Sequence, residues 1–341
     1  MKKLNLSLIV FMFLLTTNLV AQTACKLVDK IHLPDNGSWD YLTVDNEASR
    51  LYISHGMEVQ VVDLTKNALV GTISDTKGVH GIAVAKDLNK GFISNGRDTS
   101  VTVFNLKTLE FIAKVKVTGN NPDAILYDPF SQKIFTFNGR SANSTVIDAV
   151  SNKVIATIPL IGKPEFSVTD LKGKIYVNIE DKSSICEIDT KTLKVDENWS
   201  IKPGEEPSGL AIDLQNNRLF SVCDNKTLVV LNAGTGKVVT TLKIGGNVDG
   251  VAFDPILKQI YSSNGEGTMT VIQQKDADNY SILENFPTQK GARTIAVNPE
   301  THRVYLPTAE YGDTPAPTAE NQHPRAQIKP GTFTILEIST K

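Results

Sequence analysis

The sequence has no surplus of either charge: 35 Lys and Arg stand against 37 Asp and Glu, a formal net charge of −2. Proteins that hold nucleic acid by bulk charge carry a basic excess, and this chain has none. Aromatics are scarce, at 7% of 341 residues, and form no obvious row for stacking single-stranded bases. Nucleic acid is therefore not the expected partner. The cysteines, Cys25, Cys186 and Cys223, are too few and odd in number for a disulfide framework. A Cys186–Cys223 bridge is one arrangement; buried free thiols are the plainer one. Beyond residue 21 no apolar run is long enough to cross a bilayer. Linear chemical signatures are missing too. There is no His–Glu pair at helical spacing, no phosphate-cradling glycine loop and no Cys-x-x-Cys. Nothing beside Ser208 or Cys223 would activate a nucleophile.

What is present begins with an export pattern. Lys2 and Lys3 precede an apolar run, LIVFMFLL (8–15), and small residues end at Ala21. The run is too short for a membrane span and fits a secretory signal peptide over 1–21. The mature chain is then 22–341, expected in the periplasm or outside the cell. Lipid attachment at Cys25 is a second option, although Gln22 stands where an aliphatic residue is expected.

The rest is repeats. An alternating motif centred on an aromatic recurs as RLYISH (50–55), KGFISN (90–95), KIFTFN (133–138), KIYVNI (174–179), RLFSVC (218–223), QIYSSN (259–264) and RVYLPT (303–308). The aromatics fall 40 to 44 residues apart. A second run follows each motif, as in VQVVD (59–63) and LVVLN (228–232). A third closes most units, as in LVGTI (69–73), and a fourth opens them, as in LAID (210–213). Four short β-rich runs per unit, separated by turn residues, predict an all-β, seven-bladed β-propeller with four antiparallel strands per blade. The last unit lacks its fourth run, and a spare strand follows Cys25. Pairing the two seals the ring and removes an open edge.

These repeats resemble the YVTN-repeat, or YncE-like, family of seven-bladed propellers, across essentially all of 26–341. The resemblance implies the fold. For function it implies little, because propellers host binders, enzymes and scaffolds alike. Some members of that family bind single-stranded DNA, for which this chain lacks the charge and the aromatics.

Aligning the repeats predicts two rings at the top of the channel. The first lies where each innermost strand begins: Asp40, His80, Asp123, Glu165, Ser208, Asp249 and Arg293. The second lies where each second strand ends: His55, Asn95, Asn138, Ile179, Cys223, Asn264 and Thr308. Blade four is expected to break parity, with Asn178 one place early. Asp and Asn also stabilise turns, so part of each ring has a purely structural explanation. Top loops add Arg97 and Arg140. The candidate ligand-binding set is thus Asp40, His55, His80, Asn95, Arg97, Asp123, Asn138, Arg140, Glu165, Asp249, Asn264 and Arg293.

Several chemistries fit such a mouth. Carboxylates with His and Asn suit a divalent cation, although Arg293 competes for the acids. Arg97, Arg140 and Arg293 together suit an anionic group. His80 beside Asp40 or Asp123 suits a general base. The leading expectation is an exported monomer that binds a small ligand or a protein through this face. The alternative is a metal-dependent lactonase, hydrolase or lyase at the same place; no residues that would form a redox cofactor are evident. A proline-rich insert, 309–331, falls on the top face of the last blade, with Tyr311, His323 or Arg325 expected to reach inward.

Overall fold

The computed structural model describes residues 25–34, 37–316, 318, 322, 324 and 326–340. The signal segment 1–21 lies outside the described residues, as do His323 and Arg325. Seven four-stranded antiparallel sheets form the ring. Blade 1 comprises Trp39–Asp45, Arg50–His55, Glu58–Asp63 and Ala68–Ile73. Blades 2 to 6 repeat it, each innermost strand opening at Val79, Pro122, Pro164, Pro207 or Val248. Blade 7 is composite. Ala296–Asn298, Arg303–Thr308 and Thr334–Thr340 come from the end of the chain, and Cys25–His32 supplies its outer strand. Cys25 pairs with Thr340 and His32 with Thr334.

Burial explains why the sequence adopts this form. The second strands are buried almost throughout, because a neighbouring blade covers each face. Outer strands such as Ala68–Ile73 are mostly exposed. The buried apolar residues divide into seven clusters, one at each blade junction. The aromatic of every repeat lies in one of them: Tyr52, Phe92, Phe135, Tyr176, Phe220, Tyr261 and Tyr305. Cys25, Cys186 and Cys223 sit in the cores of the 6/7, 3/4 and 4/5 junctions and are free thiols. The Cys186–Cys223 bridge is therefore not formed.

Blade four does not break parity. Pro164 pairs with Ile179 and Ser167 with Val177, the same register as Trp39 with His55 and Leu42 with Ile53. Each of these innermost strands carries a bulge after its first residue. A bulge inserts an extra residue and re-aims the side chains beside it, so strict alternation misleads at this point.

The insert in blade 7 is anchored at its root. Tyr311 bridges Ile328, and the Gly312 and Lys329 amides donate to Gln327 and Glu310 carbonyls at 2.9 and 2.8 Å. Tyr311 and Ile328 pack on the 7/1 junction core.

Ring closure should dominate stability. Ile31→Ala opens a cavity at a position only 4% exposed and is expected to cost about 2–5 kcal/mol in urea unfolding. Val28→Ala on the same strand, 44% exposed, is expected to stay within about 0.5 kcal/mol of the parent.

Candidate functional site at the channel mouth

Bulges and cross-blade hydrogen bonds fix the first ring. The Asp40 amide donates to Ser54 Oγ, which donates to the Tyr41 carbonyl at 3.0 Å. Ser94 Oγ donates to the Asp123 carbonyl in the next blade, and Ser263 Oγ to the Arg293 carbonyl. In blade 4, Asn178 takes the serine's place and donates to the Ser208 and Gly209 carbonyls, both at 3.0 Å. Thr294 Oγ1 closes the circle by donating to the Asp40 carbonyl at 2.7 Å. The sequence reading missed Ser54, Ser94, Ser263 and Thr294, and took Asn178 for a displaced ring residue. The signal of the serines was a small polar residue one place before the second-ring position, whereas Thr294 directly follows Arg293 of the first ring.

The first ring converges as a chain of charges over five blades. His80 Nδ1 lies 2.6 Å from Asp40 Oδ2 and 3.6 Å from Asp123 Oδ1. On the other side of Asp40, Arg293 Nη2 is 3.7 Å away, and Arg293 also pairs with Asp249. Glu165 lies 2.8 Å from Lys163, which also pairs with Glu180. Ser208 turns to the Val248 carbonyl instead. Five carboxylates therefore face His80, Lys163 and Arg293. Asp40, His80 and Asp123 place one ligating atom each within 4.8 Å of one another.

The electrostatics follow from burial with incomplete compensation. Burial pushes the Asp249 carboxyl up to about 6 despite Arg293. Burial, and then the neighbouring Asp40 charge, raises Asp123 against the pull of His80. Glu165 is raised by burial and by Asp123. Its contact with Lys163, which holds that amine charged, is too weak to offset this. Burial works against the imidazolium of His80, but the Asp40 hydrogen bond and the Asp123 charge outweigh it and raise its pKa.

Two aromatic rings meet beside the charged ring. Tyr41 of blade 1 reaches across to Phe166 of blade 4, with ring centroids 5.3 Å apart. At the corresponding place the other blades carry Gly81, Ala124, Gly209, Gly250 and Thr294. Two of these glycines permit close approach of inner strands: a Cβ on Gly209 would come within 2.9 Å of Gly250 Cα. The sequence reading passed over Tyr41 and Phe166 because they directly follow ring positions, where alternation would turn them away.

The second ring lies elsewhere. His55, Asn95, Asn138 and Asn264 are fully buried. His55 stacks on Phe333 at 4.1 Å. Asn95 Nδ2 donates to Ser100 and Thr102 at 3.1 and 2.9 Å, and Asn138 Nδ2 to Asn143 and Thr145 at 2.8 and 3.0 Å. Asn264 Nδ2 donates likewise to Thr268 and Thr270. These amides staple second strand to third inside the blade, which corrects their assignment to the mouth. Arg97 and Arg140 are exposed, and neither forms an ion pair among the described residues. With Arg293 engaged by two aspartates, the three arginines do not make a free anion clamp. Tyr311 does approach the ring: its hydroxyl overlies Gly291, and it lies within electrostatic reach of Arg293.

The sheets and their charged mouth define a seven-bladed β-propeller with a polar, acid-rich channel entrance. No family model matches the chain. It is 25% identical over 150 residues to the uncharacterized protein YncE of Salmonella typhi, and 24% identical over 150 residues to that of Salmonella typhimurium. Each match covers 42% of both chains, so it spans less than half of either YncE. Antigen Lp49 of Leptospira interrogans is 32% identical over 90 residues, 26% of this chain and 20% of that one. Among solved structures, hydrazine synthase of Kuenenia stuttgartiensis superposes with a TM-score of 0.70 at 18% identity, covering 81% of this chain and 94% of that one. A mitotic checkpoint complex chain gives 0.72 at 12% identity, covering 90% and 95%. Those two likenesses carry fold alone. The chain is a seven-bladed β-propeller that resembles YncE at a distance over part of its length.

The two rings should respond oppositely to mutation. Asn138→Ala strips partners from Asn143 and Thr145 and is expected to cost about 1–3 kcal/mol. Asp123→Asn removes a poorly compensated charge. An acid raised in the fold gives the native state more bound protons than the unfolded one between its two pKa values, so stability falls as pH rises through that window. Asp123→Asn should therefore match the parent near pH 3.5 and melt a few degrees higher at pH 7, measured by calorimetry across pH.

Proposed function

We propose that this protein is exported and binds a small, positively charged ligand at the top of its channel. The observation that supports this best is the excess of half-buried carboxylates in the charge chain, with Asp123, Glu165 and Asp249 all pushed above the ordinary acid range. Buried charge that destabilises a fold is often retained for binding. A cation entering the mouth would relieve the repulsion, and the aspartates along the charge chain would hold it. The signal-like start, LIVFMFLL after two lysines, supports export to the periplasm or beyond. Cys25 supports an unlipidated chain, since its side chain is 3% exposed within a junction core, where a thioether-linked diacylglycerol has no room.

A second reading is a metal-dependent enzyme. It draws on the clustering of Asp40, His80 and Asp123, with hard oxygens and one imidazole suited to a divalent ion.

Thermal-shift and calorimetric titrations at low salt check the first reading. Small cations should bind and raise the melting temperature, acetate and phosphate should not, and Asp123→Asn should lose most of the response. Binding of anions alone would overturn it. Tight divalent-metal binding with chelator-sensitive hydrolysis would favour the enzyme. For export, the secreted chain is expected to begin at Gln22 on N-terminal sequencing and to take up no labelled palmitate.

A further inference from the structure

We propose that the mouth is built for an organic ammonium ion rather than a bare metal ion, a step that rests on the cation-binding reading. Three features carry it. The first is the aromatic pair. Tyr41 and Phe166 come from blades 1 and 4, meet at 5.3 Å with planes tilted by 56°, and directly follow Asp40 and Glu165 in the chain, with Tyr41 in the field of the acids. Aromatic faces attract alkylammonium groups and pack against their carbon atoms, whereas a hydrated metal ion gains little from them. The second is the Tyr41 hydroxyl. It stands in the field of Asp123, Glu165, Asp40 and Asp249, yet it makes no hydrogen bond to any described residue. An N–H donor seated between that oxygen and the carboxylates would satisfy both.

The third feature is Arg293. Its guanidinium is 3.7 Å from Asp40 and pairs with Asp249. A fixed positive charge so close disfavours a divalent ion more than a monovalent one, because the repulsion scales with ligand charge. Asp40 is also held by His80 at 2.6 Å, so a metal ligated by Asp40 would compete with His80 and Arg293 for its oxygens. A monovalent ammonium leaves the Asp40–His80 and Arg293–Asp249 contacts in place. It occupies the space beside the rings, near Asp123, whose one ion-pair contact among the described residues is His80 at 3.6 Å.

Calorimetric titration of the purified protein with n-butylammonium, tetramethylammonium, calcium, magnesium and zinc chlorides tests this. The organic cations should bind at least tenfold tighter than the three metals. Phe166→Leu and Tyr41→Leu should each weaken butylammonium binding about tenfold or more. Tyr41→Phe keeps the ring and should weaken tetramethylammonium, which has no N–H, less than butylammonium. Circular dichroism melting identifies any variant that fails to fold, and Phe166→Met then replaces Phe166→Leu. If metals bind more tightly than the organic cations, or the folded Tyr41 and Phe166 variants bind amines like the parent, the ammonium assignment is overturned while cation binding stands. If no cation binds, both fall.

Discussion

Each blade of this protein buries its two faces only because a neighbour stands on either side. The seventh has a complete sheet only because Cys25–His32 joins it. That closure is the constraint on which the rest depends. It turns seven marginal sheets, none able to cover its own apolar surface, into seven equivalent junction cores. It also sets the diameter of the circle, and with it the distances between Asp40, His80, Asp123, Asp249 and Arg293, which come from five different blades.

The mouth costs the fold stability. Burying carboxylates without enough cations opposes folding. The chain concentrates this cost where Ser94, Asn178, Ser263 and Thr294 clamp inner strands to one another. Asp40 and Arg293 are shared partners, so the acids respond to one another. A change at Asp123 is felt by His80, and through Asp40 by the guanidinium beyond. Electrostatics here belongs to the arc and not to single residues.

The fold was legible in the sequence because propeller physics repeats itself. Each of the seven aromatics, from Tyr52 to Tyr305, fills a junction core, and their spacing marked the blades. The first ring was legible for the same reason, since homologous positions in a circle must converge. The second ring was misplaced. Asn95, Asn138 and Asn264 precede glycine and look like turn or mouth residues, but their amides bond inward to the next strand. Gly96 serves a different need, as a Cβ there would come within 2.7 Å of the His80 ring. Tyr41 and Phe166 escaped notice because a bulge defeats the period-two rule where they sit. Lys163 and Glu180 escaped because they lie outside the aligned ring positions.

The composite seventh sheet has a consequence for how the molecule is made. Cys25–His32 precedes blade 1 in the chain, and its partner, Thr334–Thr340, follows blade 6. Blades 1 to 6 each become complete as synthesis proceeds, while this early strand waits through some three hundred residues with nothing to pair against. A strand made before blade 1 is placed only after blade 6, so the nascent ring remains an open arc until Thr334–Thr340 has been made.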